Sequence, residues 1–207
     1  MWNLLNITLL IASIILIIVV AFATKRHGKL QDAKNRRFLE EEQAANTARK
    51  REIEPELFFY ADLEYLPPVQ GNDPHRVLRT SRRTMIRFDR HETNVDLKKR
   101  YGVGQLDSIT LYEENFHDFL KSLGEWAQAL HDGGNVGDAL KVLMYAIGLG
   151  SEFRGTYRLA ADIFVYERDI RSLEQLLQMA EDNHFKDPAM QEHVLSYIEE
   201  KIEELRV

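Results

Sequence analysis

Seven histidines are the first side chains to test for chemistry: His27, His75, His91, His117, His131, His184 and His193. Imidazole ligates transition metals and moves protons near neutral pH, but both uses need partners at set spacings. None of these histidines forms an H-E-x-x-H pair, which would put two ligands and a base on one helix face. His91-Glu92 and His117-Asp118 are sequence neighbours, and neighbours on a helix point to different faces. The chain has no cysteine, which excludes thiol catalysis, Cys-ligated zinc, iron–sulfur clusters and disulfide scaffolds. There is no G-x-S-x-G elbow and no Walker sequence. Gly102-Val103-Gly104 lacks the third glycine or the Lys-Ser/Thr of a phosphate loop and reads as a turn. Carboxylate pairs abound, as any acidic helix supplies them. No catalytic, cofactor-binding or metal-ligating residue is assigned, no cofactor is expected, and the reading is not an enzyme.

The elements that carry these residues are separated by charge. The net charge of −6 conceals opposed blocks. Residues 1–24 hold no charged side chain; 25–37 carry +5, 38–75 carry −6, 76–100 carry +6 and 101–207 carry −11. Residues 2–23 are uncharged and rich in Ile, Leu and Val, long enough for the ~30 Å hydrocarbon core of a bilayer. Ala21-Phe22-Ala23 would suit a signal-peptide cleavage site, but no basic residue precedes the apolar run. Lys25, Arg26, Lys29, Lys34, Arg36 and Arg37 follow it instead. Positive charge behind a span resists translocation. Residues 1–24 are therefore expected to be a transmembrane signal anchor, with the amino terminus outside and the remainder cytoplasmic, in a bacterial plasma membrane. The basic flank, notably Lys25, Arg26, Lys29, Arg36 and Arg37, could also touch anionic lipid.

Residues 25–56 read as a charged juxtamembrane helix, a solvated stalk over 29–53 that Pro55 ends. Residues 57–105 combine a strap, a loop and a basic segment. The strap, Leu57 to Leu66, is too apolar to leave in water and is expected to pack on the carboxyl-terminal domain. Arg76, Arg79, Arg83, Arg87 and Arg90 would share one face of a helix, with pairing to the acidic domain or solvation favoured. Without a recognition motif the block disfavours nucleic acid, and anionic lipid ranks above it because the tether would hold the block near a membrane; both rank below pairing or solvation. Thr93 or Asn94 would cap a helix over 95–101 that Gly102 ends.

Residues 106–207 are expected to be all-helical. Ile109, Tyr112, Phe116, Phe119, Leu123, Trp126 and Leu130 follow three-four spacing. Gly133-Gly134-Asn135 then turns the chain into a second helix, with Ala139, Leu140, Leu143, Ala146 and Ile147 inward. A shift of thirty-four residues repeats the pattern. Leu123, Trp126, Ala127 and Leu130 fall on Tyr157, Ala160, Ala161 and Phe164. Ala139, Leu143 and Ala146 fall on Leu173, Leu177 and Ala180. After Asp187-Pro188, residues 189–207 form an amphipathic helix suited to capping a solenoid.

Over residues 120–187 this pattern resembles two tetratricopeptide repeats, whose period is thirty-four residues. Ser151 and Phe185 stand where the family's closing proline would be, and Leu173 replaces a small residue. The fold implied is all-α: a transmembrane helix, a polar juxtamembrane helix, and a solenoid of helical hairpins with a capping helix. By that resemblance the first helix of each hairpin lines a partner-binding groove, here Lys121, Glu125, Gln128, His131, Arg158, Asp162, Val165 and Tyr166. Their mixed charges imply a mixed polar peptide. The expected function is a membrane-anchored adaptor or scaffold for protein–protein interaction. The alternatives are a self-associating component of a membrane assembly and a receptor of an organelle outer membrane.

Overall fold

The computed structural model describes residues 34–68, 75–88 and 92–206. It is mostly helical, with two short strands. The segment read as a signal anchor lies outside the described residues; among those described, no helix is long and apolar enough to cross a membrane. Contacts divide the chain into two units, residues 1–51 with 94–104 and residues 52–93 with 105–207.

In the first unit, α1 (34–46) pairs with α3 (Asn94–Tyr101) through Lys98 to Glu42 at 2.9 Å and Lys99 to Glu41 at 3.7 Å. The helix read from composition over 29–53 stops at residue 46. Beyond it the backbone N–H of Arg51 donates to the Tyr101 carbonyl at 2.9 Å, a bond that a continuous helix would not leave free. Ala45 is fully buried, so this stretch does not stand wholly in solvent. Gly102 ends α3 at φ +79°, and its N–H donates to the Lys98 carbonyl at 2.8 Å.

The second unit begins with a 3-10 turn at Pro55–Leu57 and β1 (Phe58–Phe59). The basic block is not one helix. α2 (His75–Ser81) ends early, and the chain returns as β2 (Met85–Ile86), antiparallel to β1 with Phe58 opposite Ile86 and Phe59 opposite Met85. Four helices follow α4 (Val103–Asp132): α5 (Val136–Gly148), α6 (Arg154–Glu167), α7 (Ile170–Asp182) and α8 (Pro188–Arg206). α4 starts where Gly102-Val103-Gly104 read as a turn. Gly134 at φ +80° and Gly150 at φ +86° supply the left-handed residues that reverse the chain between helices. Asp169 caps α7, accepting from the Ser172 N–H at 3.1 Å and the Ser172 hydroxyl at 2.6 Å. That hydroxyl holds the Asp169 carboxyl below the usual range.

One apolar core runs through this unit. Leu66, Val77 and Met85 join Phe119, Leu123, Trp126 and Ala127 of α4. The same core continues through Val142 and Leu143, Tyr157 and Ala161, Leu173 and Leu176, and Ile198 of the later helices. Ala127, Ala146, Ala161 and Ala180 are all fully buried, where a small side chain leaves room for a neighbouring helix. The strap lies on this core. Phe59 packs edge-on against Phe116 at 5.0 Å between centroids and lies 6.1 Å from Phe119. Thr80 on α2 meets the Ser122 hydroxyl on α4 at 3.0 Å, a buried polar pair that also bonds local carbonyls.

Candidate functional site

α6 and α8 pack together, and each turns a polar stripe toward the same cleft. On α6, Arg154, Arg158 and Asp162 recur every four residues and align on one face. On α8, His193, Ser196, Tyr197 and Glu200 lie on the side away from buried Val194, Ile198 and Ile202. Arg154, Arg158, His193, Ser196, Tyr197 and Glu200 line a cleft of about 270 Å³.

Tyr197 organises it. The Arg158 guanidinium sits over the Tyr197 ring, 4.5 Å from the centroid, in cation–π geometry. The Tyr197 hydroxyl donates a short hydrogen bond to the Asp162 carboxylate. Burial pushes the Tyr197 hydroxyl up from its ordinary value, and the bond to Asp162 acts in the same direction. Lys201 lies 5.7 Å from that ring but is engaged by Glu204 at 2.7 Å. Among the described residues Arg154 has no carboxylate partner. The arrangement offers one cation stacked in place, a second held one turn away, and hydroxyl and imidazole groups opposite. It can bind a polar or anionic side chain.

The residues read from the sequence as a groove are not all brought together. Arg158 and Asp162 meet through Tyr197. Gln128 and His131 meet elsewhere, at Asp132, with contacts of 2.8 and 3.3 Å, and these lower the Asp132 carboxyl. Glu125 is engaged by Arg76 of α2 in an ion pair. Lys121 makes no hydrogen bond or ion pair among the described residues, Val165 is half-buried, and Tyr166 is 88% exposed. Among the described residues, no hydrogen bond or ion pair joins the α4 members to the α6 members. Sequence reasoning missed Arg154 and the α8 residues because it assigned α8 to capping. The four-residue step from Arg154 to Arg158 was a usable signal; the helix facing it was not legible.

Two other concavities occur in this unit. Leu63, Leu66, Pro67, Pro68, Leu78 and Trp126 form most of the wall of an apolar one of about 390 Å³. A polar one of about 170 Å³ includes His117, His184, Glu113, Glu152 and Lys186. At the second, Lys186 bonds Glu113 at 2.6 Å through its ammonium and Glu152 at 2.8 Å through its backbone N–H. His117 packs on the Phe153 ring at 4.6 Å. Among the described residues no three His, Asp or Glu side chains converge as metal ligands would. No family model, no curated protein and no solved structure matches this chain.

Proposed function

We propose that this chain is a membrane-anchored interaction adaptor whose α6–α8 cleft takes a segment of a partner protein. The observation that carries the reading is the Arg158–Tyr197–Asp162 arrangement beside Arg154, which has no carboxylate partner among the described residues. A stacked, pre-oriented guanidinium loses little freedom when it binds, which favours recognition of a polar side chain. The tetratricopeptide-like period supports it too, since equivalent positions such as Ala127 and Ala161, or Ala146 and Ala180, are buried alike. The groove thereby moves from α4 and α6 to α6 and α8. The anchored, amino-terminus-outside arrangement with a cytoplasmic domain in a bacterial plasma membrane belongs to the same proposal and rests on the apolar run and its basic flank.

Random-peptide display against the purified full chain tests it. Peptides enriched on the wild type and lost on R154A/R158A are expected; peptides retained equally by both would move the site elsewhere. A second reading, self-association, draws on Phe38 and Leu39 of α1, both more than half exposed. Sedimentation of the full chain in detergent with Phe38→Ser and Leu39→Ser would show a loss of oligomer under that reading.

A further inference from the structure

Between residues 76 and 88 the chain carries Arg76, Arg79, Arg82, Arg83 and Arg87 and no carboxylate. The fold gathers them on a short helix, a turn and a strand. α2 stops at Ser81, the Arg83 N–H closes a turn on the Thr80 carbonyl at 3.1 Å, and the Arg87 N–H donates to the Leu57 carbonyl at 2.9 Å. Buried Val77, Met85 and Ile86 pin this backbone from within. Two of the arginines are engaged, Arg76 by Glu125 and Arg83 by Asp118 at 3.1 Å. Arg79, Arg82 and Arg87 are exposed and make no ion pair among the described residues, although residues 101–207 carry −11.

We propose that this arginine knuckle docks on the anionic lipid headgroups of the membrane that holds residues 2–23. The inference rests on the reading of those residues as an anchor and does not depend on the α6–α8 cleft. Guanidinium groups pair with phosphate through two parallel hydrogen bonds. A nucleic acid would present the same group, but sequence-tolerant binding of single strands adds aromatic platforms for the bases. Here the apolar residues between the arginines, Met85 and Ile86, face the core, and Leu78 and Phe88 are half-buried. Lipid is also the phosphate source that an anchored chain meets at high effective concentration. Each cation near an anionic surface favours docking about fivefold, so three favour it on the order of a hundredfold at low salt. The acidic helices are repelled by the same surface, so the segregated charge selects one orientation of this unit.

The absence of native cysteine makes the test direct. Thr84 is exposed and contributes only its carbonyl, to the Asn115 amide at 3.0 Å, so Thr84→Cys gives one labelling site beside the knuckle. The labelled full chain is reconstituted into phosphatidylcholine vesicles and into vesicles with a third of that lipid replaced by phosphatidylglycerol. Both carry a headgroup quencher. Docking gives stronger quenching in the anionic vesicles, reduced to the neutral level by high salt and by R79Q/R82Q/R87Q. Equal quenching in the two vesicles, or undiminished quenching in the triple variant, overturns it. The salt arm keeps the test decisive should the triple variant fold poorly. Release of the chain from both vesicles by alkaline extraction would overturn the anchor reading itself.

Discussion

The side-chain amide of Asn183 donates to the Tyr157 hydroxyl at 2.8 Å and to the Ile147 carbonyl at 3.0 Å. Asn183 sits at the carboxyl end of α7, Tyr157 on α6 and Ile147 on α5, so one amide ties three helices. Its own carbonyl accepts from Gln191 of α8 at 2.9 Å. Tyr157 is fully buried, with the Phe185 ring tilted against it, centroids 5.6 Å apart. Its hydroxyl needs this partner, because a buried polar group without one costs more than the bond contributes.

Asn183→Ala is therefore expected to destabilise the chain by about 2–3 kcal/mol, since it strands the hydroxyl and a carbonyl together. Tyr157→Phe should cost only about 1 kcal/mol, because Asn183 still serves Ile147. Urea unfolding should show both as midpoint shifts at unchanged slope.

Alkaline stability follows from the same residue. Burial pushes the Tyr157 hydroxyl up from 10.0 to about 12. A group whose pKa is higher in the folded state stabilises fully below its unfolded value and ceases to do so above the folded one. Stability should thus fall by about 3 kcal/mol as pH rises through that window, from 10 to about 12. Tyr157→Phe should flatten this part of the pH–stability curve, measured at each pH by denaturant titration.

The strap should be held by aromatic packing rather than by charge. Phe59→Ala removes contacts to Phe116 and Phe119 and should cost about 2 kcal/mol for a half-buried ring. Arg76→Ala breaks a pair whose side chains are 37% and 47% exposed and should cost no more than about 0.5 kcal/mol. Thermal melts of the two variants should separate clearly.

Gly102 leaves no room for a side chain. At φ +79° an added Cβ would stand 2.8 Å from backbone atoms of Arg49 and Lys50, which cannot swing aside. Gly102→Ala should cost at least about 2–3 kcal/mol and raise hydrogen exchange in α1 and α3. Gly134 shares the conformation but faces open space, so Gly134→Ala should cost only about 1 kcal/mol.

At the cleft, Arg158→Ala should weaken a display-selected peptide about tenfold, equivalent to about 1.4 kcal/mol. Lys121→Ala on α4 should leave its affinity within about twofold. Fluorescence anisotropy distinguishes the α6–α8 cleft from an α4 surface by that contrast.

The helical layout was legible because local periodicity writes it into the chain. The apolar stripe from Ile109 to Leu130 and the glycine turn at Gly133-Gly134 placed α5 and the end of α4 within about two residues, although α4 begins earlier, at Val103. The alanines of the thirty-four-residue pattern are all buried. Two readings failed for the same reason. Residues 47–53 have helical composition, but the bond from Arg51 to the Tyr101 carbonyl joins residues fifty apart. The arginine block has helical spacing, yet Met85 and Ile86 pair with the strap as a strand. Propensity cannot see a distant partner.

The sequence by itself determined the helices from Ile109 onward and the faces they bury, where charge is segregated and which chemistries its composition excludes. All of these depend on residue type and near-neighbour spacing. Only the tertiary structure decided which polar stripe meets which. It turned Glu125 toward Arg76, set Tyr197 beneath Arg158 and against Asp162, and left Arg154, Arg79, Arg82 and Arg87 without carboxylates among the described residues. Charge pairing depends on separations of a few ångströms between residues tens of positions apart, and only the packing of the core sets those distances.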